Sequence, residues 1–137
     1  MLKQKTTVLF IIASIILVTH AWGLDFQEGR YEITSTIKMP GMSPPPTTIT
    51  RCLTKQAPLP DQSTAGPNCK VIDMNTQANT VTWKMECDES GQKMRGSGKM
   101  VYHGDRFEGT VDNVIMAPEG NMTVNTTIKG KRVGPCQ

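Results

Sequence analysis

The chain is poor in the side chains on which catalysis and metal binding most often depend. It has two histidines, of which only His103 lies after residue 21, and no two of its four cysteines have C-x-x-C spacing. A hydrolase triad needs a nucleophile, a base and an orienting acid within mutual reach, and structural zinc sites commonly use C-x-x-C pairs. Nucleotide-binding glycine motifs between a strand and a helix are also missing. We therefore expect no enzyme, no zinc site and no cofactor.

The chain also lacks a large excess of either basic or acidic residues. The 15 basic residues face 12 acidic ones, and without Lys3 and Lys5 the balance is 13 against 12. The basic residues are scattered, whereas a nucleic-acid-binding protein usually concentrates them on one surface. This composition argues against binding to nucleic acids or to acidic membranes.

Long apolar runs are limited to one segment near the N-terminus. Val8 to Val18 is an apolar run of 11 residues, preceded by Lys3 and Lys5 and followed by small residues before Trp22. A membrane-spanning helix needs about 20 apolar residues, so the pattern is typical of a cleaved signal peptide. We expect a signal peptide over residues 1–21, a single mature domain over 22–137 without a membrane span, and a periplasmic or secreted location.

The mature part alternates with a period of two residues. From Gln92 to His103, the even positions are apolar or glycine and the odd positions are mostly polar, which is typical of a strand with one buried face. Similar segments separated by turn residues continue through the chain, with no convincing helical spacing over more than ten residues. The sequence predicts an all-β fold: one antiparallel meander of about seven strands, forming a strongly curved sheet or half-open barrel. A two-sheet sandwich is the alternative.

The turns between these segments predict the register of the hairpins. A Gly-first turn at Gly104 suits a type II′ hairpin, and a four-residue turn is expected over residues 88–91. The residues predicted to lie opposite each other are Cys69 and Cys87, Val71 and Met85, Trp83 and Gly96, Tyr102 and Phe107, Met94 and Ile115, Ile115 and Met122, and Asn113 and Val124.

The four cysteines predict two disulfides, since an exported chain meets an oxidising environment. Three connectivities are possible. The register of the first hairpin places Cys69 opposite Cys87, at a separation that a disulfide can span. This favours a Cys69–Cys87 bridge and leaves Cys52 to pair with Cys136.

Methionine is the one unusual abundance, with eight residues after the predicted signal peptide. Methionine fills irregular cores, and it also adapts to varied binding partners. An inward face with many small and flexible residues predicts a groove for an apolar ligand or an envelope protein, although a filled core is the alternative. The residues predicted to line the groove are Trp83, Met85, Met94, Met100, Tyr102 and Phe107.

A second hypothesis assigns a metal to the methionines. Thioethers are soft ligands that select Cu(I), and Met39 and Met42 are closely spaced in a proline-rich loop. The leading expectation is a non-enzymatic binding or accessory module, and a methionine-based copper carrier is its alternative.

Several short motifs resemble a known family when taken in order. They are Arg51-Cys-Leu-Thr54, Val81-Thr-Trp83 before Cys87, Tyr102-His-Gly-Asp105 before Phe107-Glu-Gly109, and the ending Gly130-Lys-Arg-Val-Gly-Pro-Cys136. Together they are similar to the bacterial domain-of-unknown-function 3617 family, whose members carry signal peptides. The resemblance covers nearly the whole mature chain and implies a Gram-negative envelope location. It supplies no activity, substrate or catalytic residue.

Overall fold

The computed structural model describes residues 23–59 and 68–137, and the elements in these two ranges are β-strands. The predicted signal peptide and its cleavage site lie outside the described residues. The strands are β1 (Gly29–Lys38), β2 (Thr47–Leu53), β3 (Cys69–Gln77), β4 (Thr80–Glu89), β5 (Gln92–Tyr102), β6 (Arg106–Ala117) and β7 (Gly120–Gly134). The predicted all-β fold with seven strands is confirmed.

All seven strands belong to one antiparallel sheet with the order β2-β1-β7-β6-β5-β4-β3. Strands β3 to β7 form the predicted meander, in which each strand pairs with the next along the chain. The N-terminal hairpin of β1 and β2 is added at the other side, because β1 pairs with β7. Among the described strands the sheet does not close, and β2 and β3 are its two edges. This arrangement agrees with the predicted single antiparallel sheet and not with the two-sheet sandwich.

Most of the predicted register is confirmed. Strand β3 pairs with β4 so that Val71 lies opposite Met85, and β5 pairs with β6 so that Tyr102 lies opposite Phe107. The β6–β7 pairing also agrees with the prediction, as does the opposition of Met94 and Ile115. The alternation of apolar and polar residues therefore assigned these side chains to the correct faces.

The predicted register between β4 and β5 is wrong by two residues. Trp83 lies opposite Gly98, not Gly96. The reason is the turn, which has two residues instead of the expected four: Ser90 and Gly91 both have positive φ angles, of 54° and 85°. Two consecutive left-handed residues are typical of a tight hairpin turn whose twist matches that of the flanking strands. A shift of two residues keeps every side chain on its predicted face.

The core is built around four aromatic rings at one end of the sheet. Phe26 stacks on Tyr31 with ring centroids 5.6 Å apart and meets the edge of Tyr102 at 5.2 Å. Phe107 contacts both tyrosine rings, with centroid distances of 5.4 and 5.7 Å. Such tilted and edge-to-face pairs stabilise a core beyond the burial of their apolar area. Leu59 is also buried in this cluster.

Two tyrosine hydroxyls attach the covering segments to the sheet. The Tyr31 hydroxyl donates to the carbonyl oxygen of Gln27 at 2.6 Å, and the carbonyl oxygen of Gly104 lies 3.2 Å from the same hydroxyl. The Tyr102 hydroxyl donates to the carbonyl oxygen of Pro58 at 2.8 Å. The segment before β1 and the segment after β2 are therefore both held over the same end of the sheet.

Both predicted disulfides are present, and no cysteine remains free. Cys69–Cys87 joins the edge strand β3 to β4, with Cα atoms 4.0 Å apart. Cys52–Cys136 joins β2 to the segment after β7, with Cα atoms 5.5 Å apart and 84 residues of sequence separation. Each bridge thus ties down one edge of the open sheet.

No helix among the described residues is long and apolar enough to cross a membrane.

Candidate ligand-binding face

One face of the sheet, here called the inner face, carries the buried side chains in successive rows across the strands. Residues that lie directly opposite each other in neighbouring strands project to the same side of the sheet. Five rows follow from the observed pairing. They are Tyr102–Phe107–Gly130–Ile33, then Val81–Met100–Gly109–Ile128, then Met74–Trp83–Gly98–Val111–Thr126, then Val71–Met85–Gly96–Asn113–Val124, and finally Cys69–Cys87–Met94–Ile115–Met122.

We call the buried side chains of the first three rows the packed half of the inner face. Tyr102, Met100 and Val81 are almost completely buried, and Trp83 is 9% exposed. Two glycines allow this close packing. A Cβ atom on Gly98 would overlap the Trp83 indole, and one on Gly130 would overlap the Phe107 ring. The aromatic rings therefore lie directly on the backbone of the neighbouring strand.

The last two rows are only partly covered, and we call six of their residues the open half. Their side chains are half-buried, except for Met122, which is 40% exposed. Five of the six are apolar and three are methionines, so the surface is apolar and deformable. The open half consists of Met85, Met94, Asn113, Ile115, Met122 and Val124.

Asn113 is the one polar side chain in the open half. Its Oδ1 atom is buried and has no hydrogen-bond partner among residues 23–59 and 68–137. The oxygen lies over Gly96, next to Met85, because a Cβ atom on Gly96 would meet both side chains. A buried acceptor without a partner costs free energy and calls for an explanation in a native structure.

The structure divides the six predicted ligand-binding residues between the two halves. Trp83, Met100, Tyr102 and Phe107 are buried in the packed half. The two other predicted residues, Met85 and Met94, lie in the open half and are half-buried.

The two buried tyrosines, Tyr31 and Tyr102, have hydroxyls that resist ionisation. Burial raises the pKa of the Tyr102 hydroxyl well above its usual value, and the neighbouring Tyr31 raises it further. Burial also raises the pKa of Tyr31, although the charge of Arg132 partly opposes that shift. Both hydroxyls remain neutral hydrogen-bond donors at ordinary pH.

Sequence reasoning did not include four open-half residues in the candidate site: Asn113, Ile115, Met122 and Val124. The signal was present, since the predicted register already placed Asn113 opposite Val124, and Ile115 opposite Met94 and Met122. What the sequence did not reveal was which end of the inner face is covered.

The methionines of the copper hypothesis lie on a separate tight turn. Met39 and Met42 face each other across it, and their backbones exchange hydrogen bonds of 3.0 and 3.1 Å. Gly41 has a φ of 75°, which suits a turn position that favours glycine. The Met42 side chain is 61% exposed.

His103 lies on the opposite, outer face beside a depression of about 450 Å³. Its Nε2 atom is 4.0 Å from Glu108 Oε1, and both side chains are more than half exposed. Arg106, Lys129 and Lys131 also line this depression. In the part of the chain that the structure describes, no hydrogen bond joins His103 to a hydroxyl or thiol, and no three His, Cys, Asp or Glu side chains form a metal-binding group.

Comparison with known proteins identifies a family without a described activity. No curated protein and no solved structure matches the chain. A family profile described as "Protein of unknown function (DUF3617)" matches residues 26–136, from the buried Phe26 of the core to Cys136 of the second disulfide. Because this match spans the whole sheet, the chain belongs to the DUF3617 family.

Proposed function

We propose that this protein is an exported, non-enzymatic binding module that holds an apolar ligand against the open half of its sheet. The observation that carries the proposal is the uneven covering of the inner face: the aromatic end is packed, whereas the methionine-rich end is half-exposed. A contiguous apolar surface on a soluble domain commonly marks a binding site.

The composition of the open half supports a ligand with a flexible or irregular apolar body. Met85, Met94 and Met122 are unbranched and polarizable, so they adjust to different shapes at little energetic cost. Ligand sites are typically apolar with a small number of polar groups that fix orientation, and Asn113 is such a group. A hydrocarbon chain or a hydrophobic protein segment fits this chemistry, and we favour the small ligand because the two rows form a short, narrow surface.

Export is part of the same proposal. The predicted signal peptide over residues 1–21 would deliver the domain to an oxidising compartment. The pairing of all four cysteines in two disulfides is compatible with that location.

The test compares two substitutions at opposite ends of the same strand, one inside the open half and one far from it. Met122 is 40% exposed in the open half near the start of β7, and Val133 is 47% exposed near the end of that strand. We expect Met122→Lys to weaken binding of the neutral apolar probe N-phenyl-1-naphthylamine by about tenfold, because the substitution brings a charge into the apolar surface. Val133→Lys adds the same charge elsewhere and serves as the matched control.

Probe fluorescence titrations on the folded proteins give the affinities. The proposal predicts saturable binding to the wild-type protein, the same affinity for Val133→Lys, and reduced affinity for Met122→Lys. Equal affinities for all three proteins, or no binding to the wild type, would contradict it.

A second candidate function is Cu(I) binding at the turn that carries Met39 and Met42. The supporting observation is that their backbones pair directly and that Met42 is mostly exposed, so two soft thioether ligands are presented close together. We expect Met39→Leu/Met42→Leu to lose Cu(I) affinity in competition with a colorimetric chelator while retaining the fold. A wild-type protein without measurable Cu(I) affinity would end this alternative.

A further inference from the structure

The edge strand β3 exposes apolar side chains along its length. Every side chain from Lys70 to Gln77 is exposed, including Ile72 at 53% and Met74 at 45%. Among the described residues, β3 pairs with β4 alone. An exposed edge strand of nine residues is a template for pairing with another strand.

A bulge in β3 places its two charged residues on the same face. The register shifts between Val71 and Asp73, so Lys70 lies opposite Glu86 and Asp73 lies opposite Lys84. Without the extra residue, a separation of three would put Lys70 and Asp73 on opposite faces. With it, both project from the outer face, two positions apart along β4.

This arrangement of charges makes β3 complementary to the β3 strand of a second copy. If two β3 strands pair antiparallel about a twofold axis near Val71, Lys70 of one copy meets Asp73 of the second copy, and the reverse pair forms by symmetry. The outer-face row would then continue from Arg95 through Glu86 and Lys70 to the second copy. The charges would alternate in sign from Arg95 through Glu86 and Lys70 to Asp73 of the second copy. The first opposite-charge pair of this row is already formed, because Arg95 Nε lies 3.5 Å from Glu86 Oε1.

We propose that two copies of this chain associate through antiparallel pairing of their β3 strands, which makes one continuous sheet across the dimer. The inner-face rows then continue as well, because Val71 and Met74 extend the rows of Met85 and Trp83 toward the axis. The other edge strand, β2, offers no such match, because its only charged residue is Arg51.

Charge reversal tests the pairing without relying on loss of association alone. Lys70→Glu leaves two acidic residues on the edge, and Asp73→Lys leaves two basic ones. Each variant alone makes both contacts of the dimer repulsive, so we expect about tenfold weaker self-association or more. An equimolar mixture restores both opposite-charge contacts, and we expect it to form a heterodimer at wild-type affinity.

Sedimentation velocity of the wild type, each variant and the mixture measures the association constants, with circular dichroism as the check on folding. Recovery of dimer only on mixing establishes both the strand and its register. A wild type that stays monomeric at concentrations up to about 1 mM would overturn the proposal and would show that the bulge and the charges protect the edge. Dimerisation that is unchanged in both variants would also overturn it, since the interface would then lie elsewhere.

Discussion

Replacing Gly98 by alanine tests the packing that separates the two halves of the inner face. Trp83 lies across Gly98 in the neighbouring strand. A Cβ atom at position 98 would have three indole carbons within 2.6 Å, whereas carbon atoms in contact normally stay about 3.5–4.0 Å apart. The indole must therefore move by about 1.5 Å. Since Trp83 is only 9% exposed, it cannot move without disturbing the packed core.

The expected change in the free energy of unfolding is the difference between two opposing contributions. Overpacking a well-filled core costs about 1–3 kcal/mol. Replacing glycine by alanine also restricts the unfolded chain, which stabilises the folded state by about 0.4–1 kcal/mol. The packing contribution is larger, so we expect Gly98→Ala to lower the free energy of unfolding by about 1–2 kcal/mol.

Gly134→Ala is the matched control within the sheet. A Cβ atom there would meet only Arg30 Nη2, at an ordinary distance of 3.5 Å, and the φ angle of Gly134 is not left-handed. Urea denaturation followed by circular dichroism measures both variants. We expect the control to be neutral or slightly stabilising. A Gly98→Ala protein as stable as the control would refute the reasoning, and with it the placement of Trp83 on Gly98.

Three further outcomes follow from the structure. Because burial raises the folded-state pKa values of Tyr31 and Tyr102, their stabilising effect is complete below about pH 10, the unfolded value. It is lost above that pH, at up to about 1.4 kcal/mol per pH unit for each tyrosine. Phenolate absorbance in an alkaline titration should therefore appear together with unfolding, and phenolate formation in the folded state would contradict this. Asn113→Leu should raise the free energy of unfolding by about 1 kcal/mol in urea denaturation, because it removes an unpartnered buried acceptor; a loss of stability would mean that the acceptor has a partner. Removing the Cys52–Cys136 bridge with a Cys52→Ala/Cys136→Ala variant should cost about 4–5 kcal/mol, since the bridge closes a span of 84 residues, and an unchanged urea midpoint would contradict that value.

The sequence was most informative where alternation and turn chemistry agree. In β5 and β6, Gly104 fixes a tight turn with a φ of 68°, and matching apolar positions on both strands leave a single register. The disulfides followed from the same reasoning, because Cys69 and Cys87 are opposed once the first hairpin is aligned.

The β4–β5 register was harder to predict because periodicity does not fix loop length. A shift of two residues leaves every side chain on the same face, so alternation allows either Gly96 or Gly98 beneath Trp83. The left-handed conformation of Ser90 decides between them, and serine carries little signal for it.

The sequence pattern of the strands could not predict the division of the inner face into a packed and an open half. The covering side chains Phe26 and Leu59 lie outside the strands. Their positions depend on long-range hydrogen bonds, such as that from the Gln27 amide to the Gly104 carbonyl oxygen at 2.9 Å. Such contacts leave no periodic pattern in the sequence, which is why four of the six predicted ligand-binding residues lie in the core.

The most direct test of the central claim is a native mass spectrum of the protein purified from its own source without denaturation. If the open half holds an apolar ligand, the wild type and Val133→Lys should carry the same additional mass, and Met122→Lys should have lost most of it. A wild-type protein with the bare mass of its oxidised chain, under conditions that preserve other lipid complexes, would contradict the account.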